Sequence, residues 1–236
     1  MDINAPEPDL TRTPLYTVAD AQRIVRVHPV SARRWLKGYS YLRGGARRFS
    51  PKKLGPDAQV VDDVLLMSFQ DLLEVRVASA LRSHHISWKN VAATAKLFRE
   101  EWGSPHPFAL QRLRTDGRMV FADIGQKLRD PRVLQLGQDQ YVFDAVVSPS
   151  LFEVVDFENG VPVRLWPAGR EVMIVVDPAR SFGQPVVDAA GVPVATLVSA
   201  YAANDNNVER VARWFDVPVE AVEAALRFNA GSKLAA

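Results

Sequence analysis

HPVSARRWLKG, residues 28–38, opens on a histidine and a proline and closes on a glycine. A ring nitrogen of His28 can accept a backbone N–H, Pro29 fits the first helical turn without forfeiting a hydrogen bond, and Gly38 suits the exit. The spacing predicts a helix that buries Ala32, Trp35 and Leu36. Val30, Ser31, Arg33, Arg34 and Lys37 then lie on or near the outer side. Trp35, at a core spacing, reads as a packed side chain and not as a platform for stacking bases. Just upstream, Thr17 precedes VADAQRIV, where Val18, Ala21, Ile24 and Val25 recur at helical intervals, so Thr17 reads as the N-cap of a first short helix.

Two short helices joined by a tight turn, the second with a basic outer face, form the helix-turn-helix arrangement, whose second helix enters the major groove of DNA. The following YSYLRGGARRFSPKK (residues 39–53) places Gly44-Gly45 between apolar flanks, as a small hairpin requires, with cations at its tip and exit. Between Ala21 and Pro56 there are ten Lys or Arg residues and no acid, whereas from Gly137 onward thirteen acids face seven bases. The first end suits a polyanion and the second does not. A solvated basic surface is the plainer alternative. VHPVSARRW and the RRF of the hairpin resemble the MerR-like winged-helix family. That resemblance implies that Ser31, Arg33, Arg34 and Lys37 face the groove and its phosphates, and that Arg43, Arg47 and Arg48 hold the flanking backbone. Lys52 and Lys53 at the hairpin exit complete the expected DNA-binding set.

Further along, Ser68 and Asp71 make a capping box ahead of Phe69, Leu72, Leu73, Val77, Ala80 and Leu81. Ser87 caps a second helix in which Trp88, Val91, Ala95, Phe98 and Trp102 form a heptad-like seam ending at Gly103. Such a seam wants a partner, either within the chain or in a second copy. A DNA-binding homodimer would read half-sites about 34 Å apart, a geometric reason to expect one. His84, His85 and His106 have no acids at metal-ligand spacing and are not expected to bind a metal.

In the C-terminal half, QYVFDAVV (residues 140–147) alternates as a strand would, and Asn159-Gly160 between apolar runs predicts a type I′ hairpin whose second strand Pro162 confines to an edge. REVMIVVD predicts another strand ending at Asp177. Asp144, Asp156 and Asp177 are weighed as a magnesium nuclease centre and set aside, because the region lacks a basic cradle for substrate phosphates. Helices follow at about residues 194–203, 208–215 and 218–228, broken at Asn204 to Asn207. The last two form a second helix-turn-helix-like pair, but Glu220 and Glu223 would repel phosphates, so this pair is expected to meet protein or simply pack.

DPARSFGQPVVDAAGVPVATLVSAY and VERVARWFDVPVEAVEAALRF together are similar to a small bacterial antitoxin domain family that pairs with PIN-type ribonuclease toxins. Gly183, Pro185, Val186, Pro193, Val194, Val211, Ala212, Val222, Ala225, Leu226 and Phe228 carry the likeness. The family's Gly-Thr-Arg element is replaced by Ala189-Ala190-Gly191, so no role of that arginine is carried over. With MSFQDLLE in the middle, the whole chain resembles a VapB-type antitoxin. The resemblance implies an autorepressor that binds operator DNA and neutralises a VapC-like PIN-domain toxin through its C-terminal half or its tail NAGSKLAA.

The 236 residues are 47% hydrophobic and 24% charged, with no cysteine and no apolar run of bilayer-spanning length. The start of the chain lacks the basic and apolar stretches of a secretory signal, and a reducing cytoplasm is the expected compartment. No P-loop, GxGxxG, GxSxG or HExxH occurs, so no enzyme, cofactor or metal is expected. The expected fold is α+β. It comprises a winged helix-turn-helix at 1–56, a helical middle at 57–136, and a 137–236 segment of small antiparallel β-hairpins followed by a three-helix module. A MerR-like repressor that has no toxin and senses a small molecule is the alternative, and an Mg2+ nuclease a more distant one.

Overall fold

The computed structural model describes residues 9–233, leaving the first eight residues and the last three of the tail outside the described part. The fold is mixed: ten α-helices and small antiparallel sheets among the described residues. None of these helices is long and apolar enough to cross a membrane.

Strand β1 (Tyr16–Thr17) leads into α1 (Val18–Val25), where Thr17 and Asp20 cap each other's backbone N–H reciprocally. Arg26, in the left-handed region, ends α1, and α2 (Pro29–Lys37) starts on the His28 ring, which accepts from the Val30 N–H at 3.2 Å. Ala32, Trp35 and Leu36 are buried, as their spacing requires. Strands β2 (Tyr39–Arg43) and β3 (Ala46–Ser50) pair antiparallel across Gly44 and Gly45, both at positive φ, the geometry of a type I′ turn.

A second hairpin, β4 (Gln59–Val61) and β5 (Val64–Met67), joins β1 in the order β1-β5-β4. It turns on Asp62 and Asp63, both at positive φ, without the glycine that marks such turns in sequence. Helix α3 (Phe69–Ser83) has the Ser68/Asp71 capping box, and α4 (Trp88–Trp102) starts on Ser87 and ends on left-handed Gly103. The α4 seam is used inside the chain. Val91, Ala95 and Phe98 are fully buried, Phe98 meets Phe108 and Phe121 edge-on, and Trp88 stacks on Trp35 at 4.9 Å.

Helices α5 (Arg112–Leu128), α6 (Pro131–Gln138) and α7 (Gln140–Val147) complete the middle. The strand expected at residues 140–147 is in fact α7. Asp139 accepts from the Tyr141 and Val142 N–H groups, and Phe143 and Val147, one turn apart, are buried. A short apolar run fits a strand or a buried helix equally well by pattern, and the N-cap decides it.

Strands β6 (Val155–Glu158) and β7 (Val161–Leu165) turn on Asn159-Gly160, both at positive φ. The strand expected up to Asp177 is shorter than the sequence suggests. Arg170–Val172 is a 3-10 turn, β8 (Ile174–Val175) pairs with β9 (Val186–Val187), and Val176 makes a single antiparallel bridge to Leu165. Helices α8 (Val194–Ala203), α9 (Val208–Phe215) and α10 (Val219–Lys233) follow, with Asn207 capping α9. One apolar core runs from Tyr16 to Val176, crossing both expected boundaries, so the first two segments and the start of the third share it. A second core gathers Ile174, Leu197, Val211, Val222 and Phe228.

Within the first core lies a knot of charge. Asp71, Glu74 and His106 are completely buried, Arg12 pairs with Asp57 at 2.6 Å, and Arg99 pairs with Glu74 at 3.1 Å. Burial pushes the Asp71 and Glu74 carboxyls up to about 7 and the His106 imidazole down to about 4. For Asp57 burial pulls the same way as for its neighbours, but Arg12 and His106 outweigh it and hold the carboxyl below its ordinary range.

Candidate nucleic-acid interface

Helix α2 and the β2-β3 ribbon owe their exposed chemistry to two local rules. The 3.6-residue period turns Val30, Arg33, Arg34 and Lys37 outward once Trp35 and Leu36 are committed to the core, and all four are exposed while Ser31 is half-buried. The ribbon has no layer packed over its tip, so residues 40–49 are exposed on both faces. Pleating then sorts its side chains. Tyr41 sits opposite Arg48 and Arg43 opposite Ala46, on one face, while Leu42 sits opposite Arg47 and Ser40 opposite Phe49, on the other. The Arg34 guanidinium lies over the Tyr39 ring at 5.2 Å, which links the helix to the first of these faces.

The structure therefore brings Arg34, Arg43 and Arg48 to one continuous surface beside Arg33 and Lys37, and puts Arg47 on the opposite side of the ribbon. Among the described residues, none of these six has a carboxylate within ion-pairing distance, nor does Lys53. Two cations of the same stretch do pair or pack elsewhere. Arg23 is held by Asp20, and Arg26 reaches α10, donating to the Phe228 carbonyl at 3.3 Å and lying over its ring. Lys52 is also employed internally: its ammonium donates to the carbonyls of Gly55, Pro56 and Ala58 at 3.0, 3.4 and 3.1 Å.

Large apolar side chains stand among these cations. Leu42 is 77% and Phe49 63% exposed, and Val30 and Tyr41 are exposed as well. Apolar groups clustered on a ribbon that supports no core of its own mark a contact surface more than a solvated one. Sequence reasoning missed this apolar component, although the alternation YSYLR opposite ARRF carries the signal.

The carboxylates weighed for magnesium are not gathered. Asp144 lies on α7 and accepts from Gln140, Asp156 is taken by Trp166 and Arg170, and Asp177 by Arg164. His106, expected to lack acidic neighbours, has three: Asp57, Asp71 and Glu74. No local sequence signal could have found them, since all three lie far from His106 along the chain, Asp57 by 49 residues.

In the C-terminal part, α9 and α10 form a second helix pair joined by a tight turn, with an outer face of opposite charge. Glu220, Glu223 and Arg227 lie on the exposed side of α10, and Arg227 pairs with Glu223. Two aromatics there are unpacked. Trp214 on α9 is 65% exposed, and Phe182, in the left-handed region at φ 54° and ψ 37°, is 85% exposed.

The family described as a protein of unknown function, DUF433, matches residues 174–229, the span of the second core. "Putative antitoxin VapB45" of Mycobacterium tuberculosis (strain ATCC 25618 / H37Rv) is 28% identical over 203 residues, covering 78% of this chain and 81% of that protein. The crystal structure of Rv2018 from Mycobacterium tuberculosis matches with a TM-score of 0.68 at 22% identity, over 91% of this chain and 98% of that one. The chain thus shares its fold with a solved mycobacterial protein across nearly its full length, and its second core is the part similar to DUF433.

Proposed function

We propose that this chain is an antitoxin of a toxin-antitoxin system: its N-terminal part binds operator DNA as an autorepressor, and its C-terminal part neutralises a VapC-like PIN-domain ribonuclease by direct contact. In this reading α1, α2 and the β2-β3 ribbon work as a winged helix-turn-helix. Arg33, Arg34 and Lys37 approach the major groove and its phosphates, and Arg43, Arg47 and Arg48 straddle the flanking backbone on the two faces of the wing. The chain acts by binding and not by catalysis. A homodimer would present two such modules to a two-fold operator, through a surface other than the α4 seam, which is spent inside the chain.

The observation that carries the DNA reading is the set of six cations on α2 and the ribbon with no carboxylate partner among the described residues. The likeness to a protein named as an antitoxin supports the toxin-directed role. Phe182, an exposed aromatic held in a strained left-handed backbone, and Trp214, exposed on α9, are the anchors this reading assigns to the toxin contact.

The test is a mobility shift on the promoter fragment together with copurification of the neighbouring PIN-domain protein. Arg34→Ala and Arg48→Ala should each weaken operator binding and flatten its salt dependence by about 0.9 for every phosphate left unneutralised, while toxin inhibition persists. Full operator affinity in both variants would overturn the DNA reading. Failure of the neighbouring PIN-domain protein to copurify would overturn the toxin reading.

A further inference from the structure

We propose that the buried group of Asp57, Asp71, Glu74 and His106 is a binding site for one divalent ion of the zinc class, ligated by His106 Nδ1 and Asp71 Oδ1. The orientation of the imidazole comes first. Its Nε2–H donates to Asp57 Oδ2 at 2.7 Å, and Asp57 is itself clamped by Arg12 at 2.6 Å. A carboxylate on one ring nitrogen fixes the tautomer and leaves the lone pair on the other, the outer-shell arrangement of metal-bound histidines.

That other nitrogen, Nδ1, looks at Asp71 Oδ1 from 3.4 Å. Both atoms belong to fully buried side chains, and neither has a hydrogen-bond partner among the described residues. A lone pair facing a carboxylate oxygen in the core is repulsive unless a proton or a metal ion lies between them. The separation exceeds the roughly 2.7–3.2 Å of an N–H···O bond. It matches the edge of a tetrahedron whose metal–ligand bonds are about 2.0–2.1 Å. Glu74 Oε2, 4.0 Å from the same nitrogen, offers a further oxygen. Imidazole nitrogen with carboxylate oxygens is a donor set that zinc accepts.

The group gathers the carboxyls of Asp57, Asp71 and Glu74 with the Arg12 and Arg99 guanidiniums and the nearby Lys52 ammonium. Its members come from the start of the chain, the loop before β4, α3, α4 and the turn at Pro107–Ala109. An ion there would tie α3 to the segment that enters the turn at Pro107–Ala109, and the closure of the site by protein makes it structural.

The full chain, stripped with EDTA, is titrated with Co2+ and Zn2+. The expected result is saturable binding of one equivalent, with the intense visible bands of low-symmetry cobalt. Zinc at a hundredfold its dissociation constant should raise Tm by about 5–10 °C. Asp71→Asn and His106→Gln should abolish both responses, and His85→Ala, on an exposed residue, should keep them. If both core variants fail to fold, the stoichiometry and cobalt spectrum of the unaltered chain decide. No saturable binding by that chain, or undiminished binding by a folded core variant, overturns the proposal.

Discussion

Helices α1–α2 and α9–α10 are alike in build and opposite in chemistry. Each pair joins a short first helix to a second across a tight turn, left-handed Arg26 ending α1 and left-handed Asp216 ending α9, although α10 has 15 residues and α2 has 9. Each second helix buries one face, Ala32, Trp35 and Leu36 in α2, and Ala221, Val222, Ala225 and Phe228 in α10. On the outer faces α2 shows Arg33, Arg34 and Lys37, while α10 shows Glu220, Glu223 and Arg227. The backbone geometry of a helix pair thus says little about its partner, and the sign of the outward charge says much more. The ribbon adds a second difference, since only the first pair is followed by a hairpin that extends its basic surface.

The sharpest way to break this comparison is to invert the first pair. Arg33→Glu with Arg34→Glu should lower operator affinity about a thousandfold by setting like charges against phosphates, with only a small fall in Tm from the lost Arg34–Tyr39 contact, since both side chains are exposed. Unaltered affinity in a fluorescence-anisotropy titration would remove α2 from the interface. Next in size is the packing beneath that face. Trp35→Ala removes an indole stacked on Trp88 and should cost about 3 kcal/mol or more in a urea melt, which tests whether α2 depends on the helical middle for its position.

The reverse experiment asks whether charge alone separates the pairs. Glu220→Lys with Glu223→Lys should raise non-specific DNA affinity about tenfold, with a steeper salt slope and no gain in operator preference. A gain in preference would mean that α10 already has the shape of a recognition helix. The smallest effect concerns the strained aromatic of the C-terminal part. Phe182→Gly should stabilise the chain by about 1 kcal/mol by relieving the left-handed backbone, and should weaken toxin binding at the same time. Stability gained with toxin binding intact would show that Phe182 is not an anchor.

Much of this molecule is legible in short stretches. Thr17, His28-Pro29, the Ser68/Asp71 pair, Ser87 and Asn207 start their helices, and Gly44-Gly45 and Asn159-Gly160 turn their hairpins. Each depends on hydrogen bonds or φ values within about four residues, so the sequence alone determines it. The β4-β5 hairpin is not legible, because Asp62-Asp63 adopts positive φ without the glycine that announces it. Helix α7 reads as a strand in sequence because eight apolar-rich residues fit two periods.

What the sequence settled alone was which segments become most of the helices and turns, and which stretch of chain is cationic. Tertiary structure decided the rest: that the α4 seam closes within the chain, that Arg34, Arg43 and Arg48 share a surface while Arg47 does not, and that His106 meets three acids. The reason is the range of the forces. Caps and turns are set by neighbours along the chain. A shared surface or a buried cluster exists only once apolar burial has brought distant segments together, and composition carries no record of which ones will meet.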